Sequence, residues 1–168
     1  MEESTPAADR FTALYRAHSR RVFELCLRMS GDRAQAMELA QDVFVQLWRK
    51  LDQLSPERDA GPWVWRVAVN TTLNGLRARR RRLRREEPSA DLSAYVAPSS
   101  VSTPLPVRRM DIGTALRRLP PRARAVFLLH DVEGYAHDEI ASLMNIAPGT
   151  VRAQLHRARA LMRETLSP

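Results

Sequence analysis

The fold of this chain is constrained most by residues 134–163, which read GYAHDEIASLMNIAPGTVRAQLHRARALMR. Apolar residues recur there at the spacing of two buried helical stripes, one on either side of a short gap. In the gap, Asn145 tolerates the left-handed backbone of a tight turn, and Pro148 suits the first turn of a following helix. The pattern therefore predicts a helix-turn-helix over about residues 137–156. The stripe residues are Ile140, Leu143 and Met144, then Val151, Leu155, Ala158 and Met162.

The second helix of this motif carries its polar side chains on one outward face. Arginine and glutamine on such a face have the forked donor geometry that reads guanine and adenine edges in the major groove. An ordinary helical hairpin with a solvated basic face is the alternative that the pattern alone leaves open. The outward residues are Thr150, Arg152, Gln154, His156, Arg157 and Arg159.

Composition points to a polyanionic partner. The 168 residues carry a formal net charge of +8, so nucleic acid is the expected partner. Cys26 is the single cysteine and cannot form an internal disulfide, so we expect a buried thiol in a reducing compartment. No stretch approaches the roughly 20 apolar residues of a membrane span, and the acidic start lacks the layout of a signal peptide. The expected location is cytoplasmic.

Residues 86–110 interrupt every periodic pattern in the chain. Four prolines and six serines or threonines fall in this span, with few large apolar side chains. Such a segment buries too little surface to offset its ordering entropy, which predicts a flexible linker. It separates residues 10–85 from residues 111–166, and neither block shows the alternating pattern of strands. We expect an all-α protein of two small helical domains that move independently in the free chain.

The first block has the pattern of three helices. The first helix should end near Gly31, Asp32 is placed to cap the second, and Pro62 opens the third. The second helix has one apolar face, which we expect to be buried, and one polar face. The polar face consists of Glu38, Gln41, Asp42, Gln46 and Arg49.

The third helix runs into a dense basic segment at residues 77–85, where arginine fills seven of nine positions. A run of this kind is usually a solvated tail. Here it continues a helix that bears Trp63, Trp65 and Asn70, and planar groups beside a basic stripe suit single-stranded or partly melted nucleic acid. Either tryptophan can equally lie in the core, and we expect at least one of them there.

Three segments in order resemble the extracytoplasmic-function class of bacterial sigma factors, the smallest members of the sigma-70-type family. Residues 38–51 resemble the core-polymerase-binding helix of region 2 and read ELAQDVFVQLWRKL. Residues 63–82 resemble the helix that melts and reads the minus-ten promoter element, and read WVWRVAVNTTLNGLRARRRR. Residues 116–163 resemble region 4, which reads the minus-thirty-five element, with the helix-turn-helix at their end.

The resemblance implies sigma region 2 at residues 10–85, a flexible linker at 86–110 and sigma region 4 at 111–166. It implies an alternative sigma factor, of the kind used in stress responses, that directs promoter-specific transcription initiation. Such a protein has no catalytic residues, no metal, no cofactor and no direct membrane insertion. Its partners are core RNA polymerase and promoter DNA at both elements. Members are commonly held inactive by an anti-sigma factor, which makes such a partner a candidate here.

The resemblance also implies the site residues. Polymerase binding falls on Leu39, Gln41, Asp42, Gln46, Trp48 and Arg49. Approach to the non-template strand falls on Arg66, Asn70, Asn74 and Arg77, with Arg80 among the arginines 79–82 that attract phosphate. Reading of the upstream element falls on Thr150, Arg152, Gln154, His156 and Arg157. Position 136 is alanine where many members carry a capping serine, so the first helix of the motif should start at Asp138 or lack a cap.

Several alternatives stay open on the residues alone. Asp42 and Gln46 also fit a solvated i, i+4 pair. A hydrolytic metal site can be drawn from His130 and Asp131 with His137, Asp138 and Glu139, although no HExxH spacing supports one. At the level of the whole chain, a helix-turn-helix regulator without sigma activity and a non-specific basic nucleic-acid-binding protein are the competing functions.

Overall fold

The computed structural model of this chain describes residues 6–55, 59–86 and 107–166. All regular structure in these ranges is helical, as predicted. The first block contains α1 (Pro6–Ser30), α2 (Arg33–Arg49) and α3 (Ala60–Glu86). The second block contains α4 (Val107–Arg118), α5 (Pro121–Phe127), α6 (His137–Met144) and α7 (Pro148–Leu166). A 3-10 turn, Leu51–Gln53, follows α2, and a π-helical turn, Leu128–Val132, follows α5.

Local signals set the helix ends of the first block. Gly31 has a φ of +74°, a left-handed conformation that glycine adopts without a Cβ clash, and it ends α1. Asp32 Oδ1 accepts a hydrogen bond of 2.7 Å from the Gln35 N–H, so Asp32 caps α2 as predicted. Helix α3 begins at Ala60, two residues before Pro62. The three helices enclose a core that includes Val22, Cys26, Met29, Val43, Leu47, Val64 and Val69.

The second block contains the predicted helix-turn-helix. Asn145 has a φ of 51° in the turn, and α7 begins at Pro148, as the sequence predicted. Helix α6 begins at His137, one residue earlier than expected. The Ala136 N–H donates a 2.7 Å hydrogen bond to Glu139 Oε2, so the cap comes from within the helix rather than from position 136.

The predicted linker overlaps two helices at its ends. Glu86 is the last residue of α3, and residues 107–110 form the first turn of α4. The sequence there, VRRM, contains good helix formers and no proline, which accounts for the earlier start of the second block. The remainder of the predicted linker, residues 87–106, lies outside the described residues.

The two blocks pack against each other. Helices α1 and α3 contact α4, α5 and α6, and one continuous set of buried apolar side chains includes residues of both blocks. This contact was not predicted from the sequence, and the expectation that the blocks move independently in the free chain stays a prediction. That expectation came from linker composition, whereas docking depends on surfaces that exist only after each block has folded.

Candidate nucleic-acid interface

The outward face of α2 carries most of the residues predicted to bind polymerase. Gln41, Asp42, Trp48 and Arg49 are exposed, and Gln46 is half-buried. Leu39 is the exception, because its side chain is only 4% exposed and belongs to the core of the first block. It packs so closely on Gly75 of α3 that a Cβ at this glycine would clash with it. The assignment of Leu39 to the outward face was wrong. Leu39 lies one helical turn before Asp42, but its side chain packs against α3.

Two exposed apolar residues of α2 were missed in the sequence. Met37 and Val45 are 51% and 46% exposed, and they lie on the same side of the helix as Gln41 and the 48%-exposed Trp48. Contiguous exposed apolar side chains rimmed by polar ones mark protein-binding surfaces. The spacing of Met37, Gln41 and Val45, four residues apart, was the available signal, but methionine and valine were not counted as surface residues.

Trp48 packs against aromatic neighbours. The Phe11 ring lies 5.2 Å from the Trp48 ring, edge to face, and 6.3 Å from the Phe44 ring. Tyr15 lies 4.7 Å from Phe44. Such edge-to-face pairs stabilise an aromatic cluster by about 0.5–1.5 kcal/mol each beyond area burial. The cluster, formed by α1 and α2, leaves the Trp48 side chain about half exposed to solvent.

One face of α3 joins the predicted minus-ten residues to the arginine run. At about 100° per residue, Arg66, Asn70, Asn74 and Arg77 fall on one side of the helix. Arg80, Arg81 and Arg84 continue this side, whereas Arg79 and Arg82 project from the opposite one. Arg77, Arg80, Arg81 and Arg84 line one shallow surface depression. We call the row Arg77, Arg80, Arg81 and Arg84 the arginine row.

The tryptophans of α3 are largely structural. Trp65 is only 3% exposed, with the Arg21 guanidinium 5.2 Å from its ring centroid and the Tyr135 ring 6.4 Å away. Trp63 is half-buried and packs against the same core. The prediction that at least one tryptophan belongs to the core is confirmed.

The outward face of α7 is open. Thr150, Arg152, His156 and Arg157 are exposed, and Gln154 is half-buried. The opposite face is buried at the four predicted positions of the second stripe. No covering element from the described residues lies over the exposed basic side chains, so they are free to enter a groove.

Arg159, predicted on the same face, is engaged within the second block. Its Nε and Nη2 donate to Asp131 at 3.0 Å and 2.5 Å. Hydrogen bonding from Arg159 lowers the pKa of the Asp131 carboxyl. The His130 Nδ1 lies 2.8 Å from the same carboxylate. This carboxylate therefore fastens α7 to the π-helical turn, and the described residues contain no group of three or more metal-ligating side chains suited to an ion.

Asn70 takes part in the contact between the blocks. Its Nδ2 donates to the Arg66 carbonyl at 2.8 Å and to the Leu143 carbonyl of α6 at 3.1 Å. On α1, Arg21 Nη2 lies 2.6 Å from Glu133 Oε2, and Arg28 Nη1 lies 3.8 Å from Glu133 Oε1. One predicted DNA-reading residue is thus occupied by the second block.

Arg124 of α5 is buried where the blocks meet. It donates to the Met29 carbonyl of α1, to the Arg117 carbonyl at 2.6 Å and to the Leu119 carbonyl at 3.1 Å. These carbonyls lie at the C-terminal ends of α1 and α4, where the helix dipoles favour a positive charge. Burial, and then the charge of Arg117, lower the pKa of Arg124 to about 10, so it remains charged at neutral pH.

Comparison with known proteins agrees with this geometry. The family model described as Sigma-70 region 2 matches residues 14–82, and that described as Sigma-70, region 4 matches residues 109–162. The ECF RNA polymerase sigma factor SigE of Mycolicibacterium smegmatis is 33% identical over 159 residues, which cover 92% of this chain and 60% of the relative. The RNA polymerase sigma factor CarQ of Myxococcus xanthus is 30% identical over 168 residues, which cover 95% and 91%.

A sigma factor of known structure has a similar fold. The sigma factor RpoE of Bartonella quintana, solved in complex with the anti-sigma factor NepR, superimposes with a TM-score of 0.72 at 21% identity, over 94% of this chain and 96% of that one. A helical region 2 followed by a region 4 with a helix-turn-helix defines a promoter-specificity factor. The chain belongs to the extracytoplasmic-function class of the sigma-70-type family, whose members bind core RNA polymerase and direct promoter-specific transcription initiation. Within the described residues, no helix combines the length and apolar character that a bilayer crossing needs.

Proposed function

We propose that the outward face of α2 docks on core RNA polymerase. The surface consists of Gln41, Asp42, Gln46 and Arg49 around the apolar centre of Met37, Val45 and Trp48. A rigid, half-exposed tryptophan rimmed by polar groups has the composition of an interface hot spot. The same side of α2 offers both acceptors and donors, which suits a partner helix that also carries mixed charges.

The face of α3 that carries Arg66, Asn70, Asn74 and Arg77, which we call its reading face, contacts the minus-ten element and the duplex beside it. Asn70 and Asn74 offer amides to base edges, and Arg66 and Arg77 offer donors to the strand. The arginine row extends this face over about 21 Å from Asn70 to Arg84, which equals about six base pairs of B-DNA. The row therefore supplies phosphate contacts along duplex next to the melted segment, without reading its sequence.

The outward face of α7 reads the minus-thirty-five element. Arg152 and Arg157 supply the base or phosphate contacts, Gln154 and His156 supplement them, and Thr150 with the helix N-terminus holds a phosphate. This is the docking geometry of a helix-turn-helix, in which the first residues of the second helix face the base edges.

The chain has no catalytic chemistry of its own in this proposal, and it acts in the cytoplasm, where its polymerase and promoter partners are. A regulating anti-sigma factor is a further candidate partner, because RpoE of Bartonella quintana was solved with one. A stress signal would then act by releasing that partner. A helix-turn-helix regulator without sigma activity would need neither the α2 surface nor the arginine row.

The observation that carries the proposal is the single face of α3 that joins amides to the arginine row. The test is run-off transcription with core polymerase over a promoter library, using two charge-matched double variants. Arg81→Gln with Arg84→Gln removes charges from the row, whereas Arg79→Gln with Arg82→Gln removes as many from the opposite side. We expect the first pair alone to weaken binding evenly across sequences and to lower the salt dependence by about two phosphate contacts.

Three outcomes decide the proposal. Activity of the wild-type chain only with core polymerase and only at particular promoters supports sigma function. Equal losses from both arginine pairs would show that α3 attracts DNA through overall charge and has no defined face. Promoter binding that does not require polymerase would favour the regulator instead.

A further inference from the structure

One carboxylate of the π-helical turn holds an arginine of α7. Arg159 donates from Nε to Asp131 Oδ2 at 3.0 Å and from Nη2 to Asp131 Oδ1 at 2.5 Å. The same Oδ1 lies 2.8 Å from His130 Nδ1. The two bonds from Arg159 form the bidentate arrangement, in which a planar guanidinium matches a planar carboxylate. Asp131 therefore fixes the direction in which the Arg159 guanidinium points.

Arg159 belongs to a basic stripe along α7. At about 100° per residue, four exposed or partly exposed positions of this helix fall within about 60° of one another. They are Arg152, His156, Arg159 and Arg163. In a helix-turn-helix the first residues of the second helix face the bases, so a side chain about 10 Å beyond Arg152 lies near the phosphates that border the groove. A guanidinium binds phosphate in the same bidentate way as it binds a carboxylate. Released from Asp131, Arg159 would be placed to bind a phosphate.

The pair of Asp131 and Arg159 is supported by its surroundings. The Asp131 side chain is only 22% exposed, so water weakens the ion pair less than it would at an open surface. Leu128 and Leu129 are buried and anchor the turn that carries Asp131. The hydrogen bonds between the two groups lower the pKa of the Asp131 carboxyl and raise the pKa of Arg159, so both remain charged at neutral pH.

We propose that Asp131 withholds Arg159 from DNA phosphate and so lowers the sequence-independent affinity of the second block. The inference rests on the proposed function of α7. A phosphate contact strengthens binding to every sequence, because phosphates carry no sequence information. Removing one such contact shortens the lifetime of complexes on non-promoter DNA, which is useful to a chain with a formal net charge of +8. Asp131 is a positioning residue, since it acts on DNA binding through Arg159.

The test is a double-variant cycle on the full-length chain, with Asp131→Asn, Arg159→Gln and the two combined. Asparagine keeps the size of the aspartate side chain but loses the charge that holds the guanidinium. Glu164→Gln is the matched control, since it removes one negative charge from an exposed position about 8 Å further along α7 than Arg159. Circular dichroism verifies that each variant is folded. The arginine row of α3 is the same in all of them, so differences arise in the second block.

Fluorescence anisotropy at several salt concentrations measures binding to two labelled duplexes. One carries the minus-thirty-five element identified with the promoter library, and the other has a random sequence. Asp131→Asn should bind both about three- to tenfold more tightly at 0.1 M salt, and the slope of log K against log salt should be steeper by about 0.9, because one more phosphate is neutralised. In the Arg159→Gln background, the same substitution should gain no more than the Glu164→Gln control, about twofold or less, with an unchanged slope.

The wild-type state of Arg159 is measured by Arg159→Gln alone. This variant should keep the wild-type salt slope, because an arginine held by Asp131 contributes no phosphate contact. A slope flatter by about 0.9 would show that Arg159 already binds phosphate, and the proposal would be wrong whatever the other variants do.

Two further results would overturn the proposal. Equal gains from Asp131→Asn with and without Arg159 would show that the carboxylate acts through its charge alone. A folded Asp131→Asn chain with the wild-type slope would show that the released arginine does not reach a phosphate. If the wild-type chain binds both duplexes equally, the proposed reading role of α7 fails instead, while the cycle on random DNA still decides the role of Asp131.

Discussion

The two blocks differ in what they expose. In the first block, the exposed large apolar side chains are Tyr15 on α1 and Met37, Val45 and Trp48 on α2, and Tyr15 and Trp48 both contact Phe11. In the second block, the described examples are Ile112, Val132 and Leu166, which lie on three separate elements. Both blocks present a basic helix. The difference supports the proposal that the first block binds polymerase through α2 as well as DNA through α3.

The two helices proposed to read DNA, α3 and α7, also differ in how much of their polar face is exposed. The reading face of α7 is open, whereas that of α3 is partly occupied at Asn70. If α3 and α7 have the roles proposed above, the second block occupies one minus-ten residue, Asn70, in this structure, whereas the first block covers none of the exposed residues of α7. Substitutions in each block test this comparison.

The largest effect should come from the apolar patch. Trp48→Ala removes the ring that Phe11 holds in place and should weaken core-polymerase binding by about 2–4 kcal/mol, a loss of roughly 30-fold or more. Val132→Ala, which truncates a residue of equal exposure in the second block, should change affinity by less than about 0.5 kcal/mol. Binding of labelled core polymerase measures both. Similar losses from the two variants would remove the distinction between the blocks.

The second experiment tests the outward face of α7, in the second block. Arg152→Ala should leave polymerase affinity unchanged and relax base preference at one or two positions of the upstream element, by about 1–3 kcal/mol each. Arg163→Ala removes an equal charge from an exposed position about 16 Å further along α7 and should weaken binding without changing preference. Selection from a randomised minus-thirty-five element distinguishes them. A sequence-independent loss from Arg152→Ala would refute the reading role of this face.

Much of the fold could be predicted from local sequence. Gly31, Asp32 and Asn145 each meet a backbone or capping requirement that few residue types satisfy, and the structure places all three where the pattern required. The apolar stripes of α6 and α7 were equally clear, because period-3.6 spacing needs no knowledge of the partner surface.

What could not be predicted depends on distant partners. The bond from Asn70 to the Leu143 carbonyl joins residues 73 positions apart, and polar side chains on a reading helix give no sign of it. Nothing in the sequence marks Arg124, because the carbonyls that it binds at the ends of α1 and α4 come together only in the fold. Leu39 was predicted to bind polymerase, and only the position of α3 shows that its side chain lies in the core.

A smaller effect is expected from alanine substitutions at two glycines, one that contacts the other block and one that does not. Gly31 and Gly134 both have positive φ, so alanine at either position should cost about 1–2 kcal/mol of stability. At Gly134 a Cβ would meet nothing within 4 Å, but at Gly31 it would lie 2.7 Å and 2.9 Å from the Arg117 Cδ and Cγ of the second block. Gly31→Ala should therefore cost about 1 kcal/mol more, measured by urea unfolding. Equal costs would mean that Arg117 does not pack on Gly31 in solution.

Cys26 offers a probe of the first block alone. Its side chain is fully buried, its Sγ lies 3.4 Å from Thr72 Oγ1 between α1 and α3, and burial raises the pKa of its thiol to about 11. Because the folded pKa lies above the ordinary value of 9.0, the associated stability is complete below about pH 9 and is lost as the pH rises toward 11. At pH 8 the folded thiol should therefore alkylate far more slowly than the unfolded one.

In the last experiment we expect no change in the alkylation rate of Cys26, and this result would show whether the two blocks are separate folding units. If the blocks separate as intact units, Glu133→Gln should loosen the contact between the blocks, where Glu133 pairs with Arg21 and Arg28, without exposing Cys26, because the thiol packs within the first block and not against Glu133. Its alkylation rate at pH 8 should then equal that of the wild type, while exchange in α6 is faster. Denatured protein gives the upper limit of the rate. Faster labelling of the Glu133 variant would mean that the first block depends on the second for its core, and that the two are one cooperative unit rather than two.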